Sequence, residues 1–180
     1  MVKFATTNEG KVAEAREHLR DVADVEQFDY DYVEIQSEDL GAIAARGAEE
    51  AFEAQDGDEP VFVDDTGLYV RALGGFPGPY AAYVEHTLGV ERVWQVASDL
   101  DDRRASFRCV VAYADADGVE TFEGAVHGTL VAPRGDGGFG YDPIFEYAGT
   151  TFAELSTAEK NAFSHRARAL SKLADWLAEA

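Results

Sequence analysis

Val61-Phe62-Val63-Asp64-Asp65-Thr66-Gly67 is the stretch on which the fold turns. Three consecutive apolar residues, two of them β-branched, form the short run expected of a central strand covered on both faces. The run gives way to two carboxylates, a hydroxyl and a glycine, so the strand is expected to end there. The carboxyl ends of strands are where open α/β sheets place their ligands. Neighbouring side chains on a strand point to opposite faces, so one of the two aspartates is expected to enter a cleft. An Asx-capped turn closed by Gly67 is the plainer alternative.

The flanking sequence supplies the partners such a strand needs. Residues 2–6 read as a short buried strand. It passes through Thr7-Asn8-Glu9-Gly10 into a helix over 11–20, with Val12, Ala15 and Leu19 at helical spacing. A second strand is expected at 25–30, then the segment Tyr32-Val33-Glu34-Ile35-Gln36. Ser37 is placed to cap a helix over 38–54, and a loop over 55–60 ends it. Downstream, glycine and proline punctuate Leu73–Tyr80 so densely that it reads as a compact loop. Helical patterns cover 80–88 and 90–97, and 105–114 alternates as a strand. Asp117-Gly118 marks a hairpin turn into 119–128. A glycine-rich loop over 135–140 precedes Tyr141-Asp142-Pro143-Ile144-Phe145. A last amphipathic helix begins near Ser164, with Phe163, Leu170, Leu173 and Leu177 on one face. This order predicts an α/β fold: a mixed central sheet flanked by helices, in two lobes with a cleft between them. The 180 residues are expected to make one domain, either a single large one or two closely fused lobes.

Composition narrows the class. A 46% hydrophobic content suffices for a core, and only 5 prolines argue against disorder. No apolar run is long enough to span a membrane, and the opening Met1-Val2-Lys3-Phe4-Ala5 is too short for a signal peptide. Cys109 is the one cysteine; it falls in a strand pattern and reads as a buried core thiol in a reducing cytoplasm. The 35 acidic residues against 15 basic ones leave a net charge of −20, which repels a nucleic-acid polymer. Only Lys3, Lys11, Lys160 and Lys172 are lysines, and an acidic, lysine-poor surface fits a salt-rich, halophilic cytoplasm. Each surviving lysine is therefore of interest.

Four segments are polar beyond what packing asks. Thr6-Thr7-Asn8-Glu9-Gly10-Lys11 is a strand-to-helix turn whose amides and lysine suit an anion. It lacks the spacing of a Walker A loop, and a plain cap by Thr7 or Asn8 is the alternative. Asp64-Asp65-Thr66-Gly67 offers carboxylates suited to Mg²⁺, which prefers oxygen and bridges protein to phosphate. In Gly137-Gly138-Phe139-Gly140-Tyr141-Asp142, aromatics between glycines can stack on a base, or else pack as core beside a turn. Glu159-Lys160-Asn161 with Ser164-His165-Arg166 puts cations at a helix start, against the dipole, and so asks for another partner, such as a phosphate or a carbonyl oxygen.

In order, Thr6-x-Asn8-x-x-Lys11, Asp65-Thr66-Gly67, Leu73 to Tyr80, Gly138 to Phe145 and Ala153 to Arg166 resemble the inosine triphosphate pyrophosphatase family, also called Ham1-like. The resemblance covers nearly the whole chain. It implies hydrolysis of non-canonical purine nucleoside triphosphates (ITP, dITP, XTP) to the monophosphate and pyrophosphate, in a cytoplasmic homodimer. By the same resemblance, Thr6, Thr7, Asn8, Glu9, Gly10, Lys11 and Lys160 would hold the triphosphate, with Thr66 beside them. Glu34 and Asp65 would hold Mg²⁺, with Asp65 also the favoured general base. Phe139, Gly140, Tyr141 and Asp142 would frame base and sugar, and His165 with Arg166 would read the purine edge. Arg46 aligns with a basic residue of relatives. Ala81-Ala82 depart from the family, which often carries a polar or basic residue there, and no phosphate contact is expected from them.

An aspartate of ordinary pKa, about 3.9, is a weak base, so Asp65 is expected mainly to position the water while Mg²⁺ acidifies or orients it. Donors at 165–166 would satisfy the 6-oxo acceptor of inosine and clash with the amino group of adenine. Lys11, Lys160, His165 and Arg166 are expected to converge on Asp65. The competing readings are a Maf-like nucleotide pyrophosphatase, a non-catalytic nucleotide sensor and an oligomeric scaffold. The first would open Ser-x-Ser-Pro-Arg-Arg, which residues 6–11 do not provide.

Overall fold

The structure, a computed structural model, describes residues 1–55 and 59–179. The strands are β1 (Val2–Ala5), β2 (Val25–Phe28), β3 (Val61–Val70), β4 (Pro77–Gly78), β5 (Arg104–Asp115), β6 (Gly118–Leu130), β7 (Phe145–Tyr147) and β8 (Thr150–Thr151). The helices are α1 (Glu9–Leu19), α2 (Leu40–Glu53), α3 (Ala81–Leu88), α4 (Val90–Ser98), α5 (Thr157–Asn161) and α6 (His165–Glu179). The strand order is β2-β1-β3-β5-β6-β7-β8, with β4 paired to β3. β1 runs parallel to both β2 and β3, whereas β4, β7 and β8 join antiparallel, so the sheet is mixed as expected.

The chain forms two compact units. The first comprises residues 1–65, 109–124 and 166–180; the second comprises 66–108 and 125–165. In the first, period-two alternation sorts side chains to two helical layers. Phe4, Phe62, Cys109, Val111 and Tyr113 pack with Val12, Ala15 and Leu19 of α1 and Ala169, Leu170 and Leu173 of α6. Ala5, Val61, Val63, Val110 and Ala112 pack with Leu40, Ala44, Ala48 and Ala51 of α2. In the second unit, Leu68, Val70, Ala105, Phe107, Val126 and Leu130 pack with Ala81 and Val84 of α3 and Val93 and Ala97 of α4.

Three expectations need correction. β3 does not stop at Asp64: it runs on to Val70. Gly67 permits this, because a Cβ there would stand 2.7 Å from the Gly78 carbonyl oxygen of β4. The glycine that reads as a turn thus admits a neighbouring strand. The α2 cap is Asp39, which accepts from Gly41 and Ala42 amides, while Ser37 accepts from Asp39. α5 is additional, begun by a capping box in which Ser156 and Glu159 satisfy each other's amides. Of the loop expected at 55–60, residues 56–58 lie outside those described.

Candidate functional site

On β3, Asp64 and Asp65 are both buried, at 3% and 7% exposure, and they face different layers. Asp64 turns toward α1 and α6. Lys11 Nζ donates to its Oδ1 at 2.7 Å, and Arg166 Nε donates to its Oδ2 at 2.6 Å. Arg166 Nη1 also donates to Glu14 Oε2 at 2.8 Å, and the Cys109 thiol lies 3.9 Å from Asp64 Oδ2. Burial alone would raise the Asp64 carboxyl, but the Lys11 ammonium and the Arg166 guanidinium hold it well below the usual carboxylate range. The expected convergence of cations therefore falls on Asp64 in this unit, not on Asp65, because strand alternation gives position 64 to the α1–α6 side. Lys160 and His165 belong to the second unit.

Asp65 turns toward α2. The Tyr32 hydroxyl lies 3.2 Å from its Oδ2 and 3.4 Å from the Asp64 carbonyl oxygen. Burial, then the charges of Asp64 and Glu34, push the Asp65 carboxyl up to about 7. This changes the expectation of a weakly basic aspartate: desolvation makes Asp65 a far better proton acceptor near neutral pH. Burial, with Asp65, Asp64 and Glu34 nearby, also keeps the Tyr32 hydroxyl protonated well above its ordinary range. Next along the strand, Thr66 Oγ1 is buried and has no hydrogen-bond partner among the described residues. A buried hydroxyl left so is a polar group suited to a ligand.

At the first turn, Asn8 caps α1, accepting from the Gly10 amide at 2.9 Å and the Lys11 amide at 3.2 Å. Thr6 Oγ1 accepts from the Asn8 amide, while Thr7 and Glu9 are exposed. Glu34 is exposed in the connection before α2, close enough to influence Asp65 electrostatically. No group of three or more His, Cys, Asp or Glu gathers as a ready metal cage among the described residues. Two hard carboxylates beside a phosphate are enough for Mg²⁺, which keeps several waters, so the donor chemistry of Asp65 and Glu34 fits it. Arg46 is exposed on α2 and donates to Glu49 at 3.2 Å.

In the second unit, Lys160 Nζ lies 2.5 Å from Asp142 Oδ2 and 4.3 Å from the centre of the Phe139 ring. Lys160 and Asp142 are buried, whereas Phe139 is 54% exposed. Asp142 Oδ2 also accepts from the Phe139 amide at 2.9 Å. Gly138, at φ +70°, leaves the room this needs, since a Cβ there would run into the Asp142 carboxylate. Gly140 shares the left-handed region at φ +61°. Tyr141 departs from the expected framing role: its ring is in the core and its hydroxyl donates to the Ala81 carbonyl at 2.8 Å. His165 is buried and stacks on Phe107, ring centres 4.8 Å apart. A separate concavity of about 1000 Å³ includes Tyr69, Arg104, Arg108, His127 and Tyr147 in its wall, and none of the expected site residues lines it.

Sequence reasoning missed Tyr32, Glu14 and the anchoring role of Asp64. The basic start of α6 was the available signal for the last: Arg166, placed against the helix dipole, finds its partners in two carboxylates.

Comparison with known proteins identifies the family. The profile of the Ham1 family matches residues 2–176. A dITP/XTP pyrophosphatase of Hyperthermus butylicus is 46% identical over 181 residues, covering 98% of this chain and 94% of that protein. An inosine triphosphate pyrophosphatase of Phaeosphaeria nodorum is 39% identical, covering 99% and 94%. Among solved structures, a HAM1 protein from Coxiella burnetii superposes with a TM-score of 0.88 at 32% identity, covering 99% of this chain and 98% of that one. With a match across almost its full length and relatives this similar, the chain belongs to the Ham1 family.

Proposed function

We propose that this chain hydrolyses non-canonical purine nucleoside triphosphates, dITP, XTP and ITP, to the monophosphate and pyrophosphate. Relatives named for that activity share 46% of their residues with nearly the whole chain. The observation that carries the reading is the division of labour at β3: Asp64 is neutralised by Lys11 and Arg166, while Asp65 keeps a carboxyl raised to about 7.

Asp65 and Glu34 would hold Mg²⁺. When bound, the ion supplies charge neutralisation for the phosphates and a more acidic water. Asp65 orients the attacking water and accepts its proton. Thr66 offers its hydroxyl to a phosphate oxygen or a bound water. Lys11, held at the surface of the Asp64 pair with its side chain 22% exposed, takes up negative charge from the triphosphate. In the second unit, exposed Phe139 presents a ring face for the base, and Lys160 beneath it is held in place by Asp142. The reaction is attack of water at the α-phosphorus with pyrophosphate leaving. Hydrolysis of ITP in ¹⁸O-water is expected to place the label in the monophosphate; label in pyrophosphate would exclude attack at that atom.

Donors at 165–166 meet the 6-oxo edge of the base in this reading. Arg166 already donates to Asp64 and Glu14, so it would exchange or share one of these to do so. Arg166→Ala is expected to lower the preference for ITP over ATP by about 10-fold or more, measured as a ratio of kcat/KM values. The ratio is insensitive to how much of the variant is folded. Full retention of the preference would remove Arg166 from base selection.

A further inference from the structure

We infer that Tyr32 is a positioning residue for Asp65 and that Gly47 is glycine so that the Tyr32 ring can reach its place. The inference rests on the reading of Asp65 as the group at the reacting centre. Tyr32 lies in the 29–39 connection, which contains no helix or strand, so no backbone ladder fixes its position. Contacts of its side chain do. The ring packs among the residues between β3 and α2. The hydroxyl comes to 3.2 Å from Asp65 Oδ2, where the two aspartates of β3 diverge.

Gly47 makes that reach possible. It is buried in the middle of the 14-residue helix α2, whose neighbouring positions are mostly alanine. Glycine is a poorer helix former than alanine, so a buried glycine there calls for a reason. A Cβ at position 47 would stand 2.5 Å from both Cδ2 and Cε2 of Tyr32, a distance that real side chains do not show. The ring occupies the space a methyl group would take. Its hydroxyl fixes the rotation of the Asp65 carboxylate, leaving Oδ1 for the water or cation. An orienting hydrogen bond of this kind acts on the chemical step, since a small displacement of a reacting group is costly there while substrate affinity need not change.

Tyr32→Phe keeps the ring and its packing and removes only the hydroxyl. With ITP and saturating Mg²⁺, its kcat is expected to fall about tenfold or more, with KM within about twofold of wild type and Tm unchanged. Gly47→Ala is expected to lower kcat as well, and to add nothing in a Tyr32→Phe background, because both act through one hydroxyl. A Tyr32→Phe enzyme with wild-type kcat overturns the proposal. So does a Gly47→Ala enzyme with higher Tm and full activity, since alanine would then fit. Should Gly47→Ala fail to fold, Tyr32→Phe decides alone. Asp65→Asn measured alongside separates the two levels: if it is inactive while Tyr32→Phe is fully active, only the Tyr32 assignment fails. If Asp65→Asn retains wild-type kcat, the premise about Asp65 fails and the proposal with it.

Discussion

Asp65→Asn is expected to lower kcat for ITP by about 10²–10⁴-fold, the range a positioned proton acceptor supplies, while leaving the protein folded and no less stable. The two outcomes together make the test sharp. Asparagine is nearly isosteric and can still accept from the Tyr32 hydroxyl, so packing between β3 and α2 is kept. It cannot take a proton from water. Stability moves the other way. The folded-state carboxyl titrates near 7, above the ordinary value of about 3.9. Between those values the unfolded chain has released the proton that the folded chain retains, so Asp65 costs stability progressively as pH rises through that window. The asparagine variant is spared the cost, and its Tm is expected to exceed that of wild type in metal-free buffer at pH 8. The raised pKa also bears on the metal. A proton and Mg²⁺ compete for the same carboxylate, so the Mg²⁺ concentration for half-maximal rate is expected to climb as pH falls below about 7. Pyrophosphate release measured over a grid of pH and Mg²⁺ checks this; a Mg²⁺ requirement flat from pH 8 to 6 would take Asp65 out of the metal site.

How much of this was legible beforehand depended on whether the cause was local. The first strand and helix, the α3–α4 pair and the β5–β6 hairpin follow from periodicity and turn residues within a few positions. The extension of β3 does not, because Asp-Asp-Thr-Gly carries a local turn signal. Its reversal comes from Gly78, eleven positions on, whose carbonyl oxygen occupies the space beside Gly67. The short helix α5 was legible in principle, since Ser156 and Glu159 spell a capping box. The chemistry divides the same way. Strand alternation predicts that the two aspartates part company. It cannot say which one is neutralised, because Arg166 reaches Asp64 across 102 positions. Nor can it reveal Tyr32, whose role depends on an absent methyl group at Gly47. Lysine scarcity singles out Lys11 and Lys160, and the structure rests both on aspartates, Asp64 and Asp142, not on Asp65.

Asp64→Ala is expected to cost about 3–5 kcal/mol of stability, the usual penalty for removing one partner of a buried ion pair. The Arg166 side chain is 4% exposed and that of Asp64 is 1% exposed, so water cannot replace the lost carboxylate. Lys11, at 22%, has water close by, whereas Arg166 would be left buried with its pair to Glu14 but without the Asp64 carboxylate. The same arrangement sets the acid limit. Asp64 has its folded-state pKa held far below its unfolded value, so its stabilisation is complete above about pH 4 and drains away as pH falls further. Wild-type stability, followed by denaturant unfolding, is therefore expected to drop steeply below pH 4, and the alanine variant to lack that limb because it starts from the lower level. Coupling to Arg166 is open to a double-mutant cycle: with Arg166→Met in the background, the loss of Asp64 is expected to cost about 0.5–3 kcal/mol less than in wild type. A single-site cost below about 1 kcal/mol would mean that Arg166 finds other support and that Asp64 is not the anchor of this unit. The alternative outcome has a physical meaning too, since well-packed apolar replacements of a complete buried cluster can be neutral while a half-removed cluster is not. A fully apolar replacement of Glu14, Lys11, Asp64 and Arg166 together would be tolerated by the fold on that ground. It would also remove Lys11, the side chain that the proposed reading gives to the triphosphate, so fold and activity are expected to part company in that variant.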